Sequence, residues 1–399
     1  MYPTNLNTPK VELEKRVSKL KIYLQKNNID GALILQRVDL FYFTGTIQQA
    51  HLYVPAHGDP LLMVRKSYDR AKAESSIEKI LPLKRPSDIP NILKANGHAP
   101  PTALGLELDV LPTNLFFNFQ GIFGNPEVVD ISQAIRLIRA VKSPYEIDIM
   151  RRAAELSDQV AGWVPKILRE GMTEIELAGK IEAEARRLGH QGVVRMRLWG
   201  SEMFYGHLMS GPTGAVPSFL SSPTGGAGAS PAVAQGPGFK TIQPHEPVLV
   251  DYVFAYNGYL SDHARIFSLG SLPEELMEAH AAMLKIEQMI KRWAKPGVKS
   301  GEIYKRALEK TKALGYADHF MGVGPARIRF VGHGIGLEVD EFPFLAAGQQ
   351  LELQAGMAIA LEPKLIFPGK GVVGIENTHV VTDDGLDQLG QFPGEVLVL

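Results

Sequence analysis

The 399-residue chain contains no cysteine. That excludes disulfides and a thiol nucleophile, and it is compatible with a reducing compartment. Net charge is almost absent too, with 42 Lys and Arg against 43 Asp and Glu. This balance carries neither a nucleic-acid footprint nor a sign of a polyanionic partner. No apolar run approaches the roughly 18 residues that span a bilayer. The opening MYPTNLNTPKVELEKR lacks the basic and apolar regions of a signal peptide. The expectation is a cytoplasmic enzyme without membrane or nucleic-acid partners. Its length leaves room for two domains, each with a sizeable core.

The chain divides near residue 140. Residues 11–28 read as an amphipathic helix with Leu13, Val17, Leu20 and Leu24 on one stripe. GALIL, HLYVPA, PLLMV, ALGLEL and EVVDIS read as strands between helix-like runs, an α/β pattern. Beyond Lys142 a helix is expected with Ser143 as N-cap and Pro144 in its first turn. A second opens at Thr173, with Glu176 completing a capping box. LPEELMEAHAAMLKIEQMIKRWA and SGEIYKRALEKTKALG supply two more. The expected domains are therefore 1–140, α/β, and 141–399.

Chemistry concentrates in the C-terminal third, at Asp251, Asp262, His333, Glu362 and Glu376. PVLVDYVFAYNGYLSDHARIF reads as a hairpin around Asn257-Gly258. A two-residue turn pairs Val253 with Asp262 and Asp251 with Ala264. Side chains alternate faces, so both Asp lie on one face as diagonal neighbours, roughly 7–8 Å apart at Cα. Two solvated strand Asp would be the plainer reading, but Asp is poor in strands and Asp251 follows Val248-Leu249-Val250. His333 lies among Gly332, Gly334 and Gly336, which suggests close backbone approach or positive φ. Glu362 and Glu376 sit in strand-like apolar runs, where an unpaired Glu is costly. An even-length loop near Pro368-Gly369-Lys370-Gly371 would put these two Glu on opposite faces. Bringing them together requires an odd loop or a bulge. Two Asp, two Glu and one His suit Mn²⁺, Co²⁺, Fe²⁺ or Zn²⁺. Four crowded carboxylates repel without cations, so two divalent ions and a two-metal hydrolytic site are expected.

VLVDYVFAYNGYLSDHARIF, GHGIGLEVDE, ALEP and GIENTHVV resemble the successive signatures of the pita-bread metallopeptidases. That family includes Xaa-Pro dipeptidase, aminopeptidase P, methionine aminopeptidase and creatinase. The resemblance extends to IRLIRAVKSPYEIDIMRRAAELSD and LFYFTGTIQQAHLYVPAHGDPLLMVRKS, and so covers nearly the whole chain. It implies an α/β creatinase-like N-terminal domain followed by an α+β pita-bread catalytic domain. It also implies a homodimer that hydrolyses a C–N bond in a short peptide or small amide. In that reading Glu362 handles the proton, Asp262 and Glu376 bridge the metals, and His333 is both ligand and catalytic group. Arg265, in DHARIF, matches a recurrent family Arg and would orient carboxylates behind the ligands.

Three positions depart from the prolidase-like pattern. Pro231-Ala232, or Pro217-Ser218 in a rival alignment, stands where a Pro-His pair is usual. Arg329 and Asp340 stand where two further histidines are usual. In the family these histidines contact substrate or stabilise the tetrahedral intermediate. Altered substrate handling follows, with Arg329 suited to a substrate carboxylate and Asp340 to a cation or donor. Residues 195–238, rich in Gly, Pro and Ser, read as a long loop closing over the site or as a mobile insertion. His207 is its candidate substrate contact. The alternatives are a non-peptidase amidohydrolase or a non-catalytic binding protein. Retention of all five candidate ligands argues against the last.

Overall fold

A computed structural model describes residues 7–203 and 205–399. Residues 1–6, part of the opening inspected for a leader, lie outside the described residues. The chain falls into two compact units, Met1–Arg139 and Ala140–Leu399.

The first unit is a six-stranded mixed sheet flanked by helices. Its strands are β1 (Gly31–Ile34), β2 (Ala50–Pro55), β3 (Leu61–Val64), β4 (Lys79–Pro82), β5 (Ala103–Leu106) and β6 (Glu127–Asp130), in the order β4-β3-β2-β1-β5-β6. β1 is buried at every residue, as an all-apolar central strand must be. The helix Lys10–Lys26 buries the expected stripe of Leu13, Val17, Leu20 and Leu24.

The second unit carries the acidic cluster. Its strands are β7 (Gly206–Ser210), β8 (Val248–Tyr256), β9 (Tyr259–Ser268), β10 (Phe330–Gly334), β11 (Glu341–Ala346), β12 (Ala358–Leu361), β13 (Lys364–Phe367), β14 (Gly371–Gly374), β15 (Glu376–Thr382), β16 (Gly385–Gln388) and β17 (Leu397–Val398). Seven of them form the path β11-β10-β12-β15-β9-β8-β7, and β13 pairs β14 separately. β8 shows why helices cover this sheet. Its Val248, Val250, Tyr252 and Phe254 join a core with residues of the helices Pro144–Ala161 and Glu174–Arg187. Leu249 points the other way, into a second core with the helices Glu274–Trp293 and Ser300–Ala313. Asp251 shares the parity of Leu249, so it faces away from the first helix pair.

Local caps follow the chain closely. Ser143 accepts from the Glu146 amide, and the Glu146 carboxylate accepts from the Ser143 amide. At Thr173 the hydroxyl accepts from the Glu176 amide, but the Glu176 carboxylate turns to Lys180 at 3.1 Å instead of closing a capping box. The i,i+4 ion pair competes for the same carboxylate. Residues 195–238 are not one loop. Gly206–Ser210 is a fully buried edge strand on β8, followed by a 3₁₀ turn at Gly211–Ala215. Five residues of strand are hard to see amid so much glycine and proline.

Phe254 is wholly buried in the first of these cores. Phe254→Ala should cost about 3–5 kcal/mol, since a large cavity is left behind. A denaturant unfolding curve shifted by less than about 1 kcal/mol would contradict this packing.

Candidate metal centre

The site is built by strand register. Asn257 and Gly258 turn the β8–β9 hairpin with φ of 45° and 86°, as a two-residue primed turn requires. Tyr256 then pairs Tyr259, Val253 pairs Asp262 and Asp251 pairs Ala264, the register read from the sequence. On one flank, β7 sets His207 opposite Asp251. On the other, β15 sets Glu376 opposite Ala264. The pairs Leu361–Asn377 and Lys364–Gly374 share one register, which sets Glu362 opposite Glu376. The connection Pro368–Lys370 has three residues, because Phe367 pairs Gly371. This is the odd loop that two Glu on one face demanded.

Cross-strand partners point to the same face, so these residues form a row: Glu362, Glu376, Ala264, Asp251, His207. The adjacent row contains His333, Ala360, Thr378 and Asp262. Thr378 Oγ1 accepts from the Asp262 amide at 2.8 Å and donates to the Asp262 carbonyl at 3.1 Å. Ala264, Ala360 and Thr378 are small, which leaves space above them. A cavity of about 370 Å³ opens there, and Asp251, Asp262, His333, Glu362 and Glu376 all line it. Trp199, Phe219 and Leu220 line it from residues 195–238. A larger cavity of about 550 Å³ lies in the first unit, but its lining has no carboxylate, so it offers no comparable chemistry.

The five side chains are all buried. Burial, then the charge of Asp251, pushes the Asp262 carboxyl up to about 7. Burial also raises Glu376 well above the carboxylate range, reinforced by Asp262 and Glu362. Such a cluster demands cations. One is in the chain itself. Lys364, 1% exposed, donates from Nζ to Asp251 Oδ2 at 2.9 Å, Glu362 Oε2 at 2.9 Å and Glu376 Oε2 at 2.6 Å. Burial disfavours its charge, but the three carboxylates outweigh burial and raise it well above the ordinary lysine value. Lys364 was missed in the sequence, although a signal existed. It stands two residues after Glu362 in a strand-like run, hence on the same face.

The remaining ligand atoms gather elsewhere. Asp262, His333 and Glu376 each offer one atom within 4.8 Å of the others. His333 Nε2 lies 3.9 Å from Asp262 and Glu362 and 4.0 Å from Glu376. Its Nδ1 faces the Gly334 carbonyl at 3.0 Å and Asp340 at 3.6 Å. A proton on Nδ1 satisfies those acceptors and leaves the Nε2 lone pair toward the carboxylates. The donor set fits one divalent ion, for which ligand bonds of about 2.0–2.2 Å are needed.

The other sequence candidates divide. His207 lines the cavity, with Nδ1 3.1 Å from Thr224 Oγ1. Burial lowers its pKa. Asp340 lines the cavity beside His333. Arg329 does not line it, and is exposed. The β10–β11 register shifts between Phe330 and His333. Phe330 takes the cavity position instead. Ala232 is likewise exposed and outside the lining. Gly332 and Gly334 are places of close approach, since a Cβ on either would meet a carbonyl oxygen at 2.2 or 2.1 Å.

Arg265 is neither a surface residue nor a carboxylate partner. It is 1% exposed and donates to the carbonyls of Glu376 (3.0 Å), Phe392 (2.7 Å) and Pro393 (2.7 Å), and to Asn377 Oδ1 (2.8 Å). Asn377 in turn donates to Glu287 at 2.6 Å. This buried network clamps the backbone that presents Glu376.

Comparison with known proteins matches this geometry to a family. The family model for metallopeptidase family M24 matches residues 148–383, and that for the creatinase/prolidase N-terminal domain matches residues 16–141. The chain belongs to metallopeptidase family M24, and its architecture is a creatinase-type N-terminal domain followed by the pita-bread fold. It is therefore a hydrolase of the metallopeptidase class, a family whose chemistry implies divalent metal ions. An Xaa-Pro dipeptidase of Pyrococcus furiosus is 29% identical over 389 residues, spanning 96% of this chain and all of the relative. The prolidase structure from Pyrococcus horikoshii superposes with a TM-score of 0.80 at 26% identity, covering 96% of this chain and all of that one. An Xaa-Pro dipeptidase structure from Bacillus anthracis shares the fold with a TM-score of 0.83 at 23% identity, covering 97% of this chain and all of that one. No described helix is long and apolar enough to cross a membrane.

Two outcomes follow from the site. Arg265→Ala should cost about 3–5 kcal/mol, because it strips partners from a buried charged network. It should also weaken Mn²⁺ binding about 10–100-fold by loosening Glu376. Unfolding curves and metal titration measure both, and a variant with unaltered metal affinity would contradict the clamp. Separately, chelator-treated protein should melt at a lower temperature, and added Mn²⁺ should restore it. An ion at 100 times its Kd adds about 2.7 kcal/mol. An unchanged melting curve with proven metal loss would contradict the coupling.

Proposed function

We propose that the protein is a metal-dependent dipeptidase that hydrolyses the C–N bond of a short peptide, with substrate contacts altered from the Xaa-Pro dipeptidase pattern. The observation that carries this reading is the buried Asp262–His333–Glu376 cluster on the floor of a small cavity. Its volume suits a small ligand rather than a folded partner. Asp262, His333 and Glu376 would hold the ion, and Asp251 and Glu362 complete the acidic wall. When bound, a divalent ion polarises a carbonyl and lowers the pKa of water. Glu362 directs Oε2 to Lys364, which keeps that oxygen occupied. Its Oε1, on the His333 side, takes the proton from water and passes it to the leaving amine. Asp340 holds the His333 ring, and His207 faces the substrate from β7 beside Asp251. Mn²⁺, Co²⁺, Zn²⁺ and Fe²⁺ all suit the donors. The homodimer is carried over from the family resemblance.

Ala232 and Arg329 leave the cavity without the imidazoles that prolidase-like members carry at those positions. Activity on Ala-Pro and Met-Pro should therefore be weak beside that on some non-proline dipeptides. The test is metal analysis of purified protein, then a dipeptide screen with Mn²⁺, Co²⁺ and Zn²⁺. Glu362→Gln should lower kcat at least 100-fold, the scale of a lost general base. Turnover of small amides but of no dipeptide would favour the non-peptidase alternative. Turnover of neither, with metal bound, would sink the enzymatic reading.

A further inference from the structure

We propose that Lys364 occupies the place of a second cation, so that the centre binds one divalent ion rather than two. The inference rests on the metal reading of the Asp262–His333–Glu376 cluster.

The argument is geometric. An ammonium has three donors, and Lys364 spends them on three carboxylates from three chain segments, Asp251, Glu362 and Glu376, at 2.6–2.9 Å. A second ion shared among these three carboxylates would compete with the ammonium for those oxygens. Asp251 makes the point most sharply, because it is not part of the Asp262–His333–Glu376 group. Its Oδ2 is held by Lys364, so an ion that took that oxygen would have to displace the ammonium. A divalent ion sharing those oxygens would face the lysine charge at close range, and like charges at contact repel strongly.

The lysine is also built in. Its cross-strand partner is Gly374, where a Cβ would lie 2.7 Å from Lys364 Cα and 2.9 Å from Cγ. Only glycine leaves space for this stem. Lys364 therefore holds Asp251 and Glu362 in place with one fixed positive charge, and the single ion sits on the His333 side.

The experiment is a metal titration of the full-length, chelator-stripped chain. Calorimetry with Mn²⁺ and Co²⁺ absorption spectra both report an end point without activity. Wild type should saturate at one ion per chain. Lys364→Met removes the charge while keeping most of the stem, and should bind a second ion. Lys364→Arg keeps the charge and should stay at one. Two ions bound tightly by wild type would overturn this proposal alone, leaving the metallohydrolase reading intact. No ion bound by wild type would overturn that reading and this one together. One ion in wild type with one in a folded Lys364→Met would show that Lys364 does not set the number. Should Lys364→Met fail to fold, the wild-type and Lys364→Arg end points still decide, since a second ion in either contradicts the proposal.

Discussion

Four buried carboxylates on one face of a sheet are the constraint around which the second unit is arranged. Carboxylates out of water repel one another and favour protonation, and Asp262 and Glu376 both show that pressure. Only positive charge at contact relieves it. Lys364 supplies one such charge from within the chain. The Asp262–His333–Glu376 group leaves a place for another. The polypeptide thus neutralises only part of the acidic charge from within.

The rest of the unit serves to hold that arrangement still. The sheet brings the acids in as two adjacent cross-strand rows, with alanine and threonine between them. Arg265, Asn377 and Glu287 brace the strand that presents Glu376 from behind. The loop after His333 is secured by Glu341, whose Oε1 accepts from the Leu337 and Glu338 amides while Oε2 pairs with buried Lys142 at 2.9 Å. Metal position and ring orientation are set by such supporting contacts as much as by the ligands themselves.

The acidic floor of the cavity is built from strands, and its walls are built from other segments. Here the walls come partly from residues 195–238, which combine an edge strand with irregular chain bearing Trp199, Phe219 and Leu220. That distribution fits a scaffold on which loops carry specificity and strands carry chemistry.

Much of the centre was legible in the sequence because its determinants are local. A two-residue turn and the period of two decide which side of a hairpin Asp251 and Asp262 share. The requirement that Glu362 and Glu376 meet forces an odd connection, and three residues supply it. Caps at Ser143 and Thr173 were likewise visible in four residues of chain. What tertiary structure alone decided are the contacts whose partners lie far apart in sequence. Lys364 becomes a cation for Asp251 only because β13 folds against the floor, 113 residues away from that partner. Arg329, singled out by its place in a family pattern, stays outside the cavity that its neighbour Phe330 lines, in a stretch where the β10–β11 register shifts. Arg265 looks like a ligand orienter in a motif, yet its five acceptors belong to backbone and to Asn377, mostly more than 100 residues downstream. Turn chemistry and side-chain alternation are written in the local chain; which charge ends up beside which is settled only when distant strands come into register.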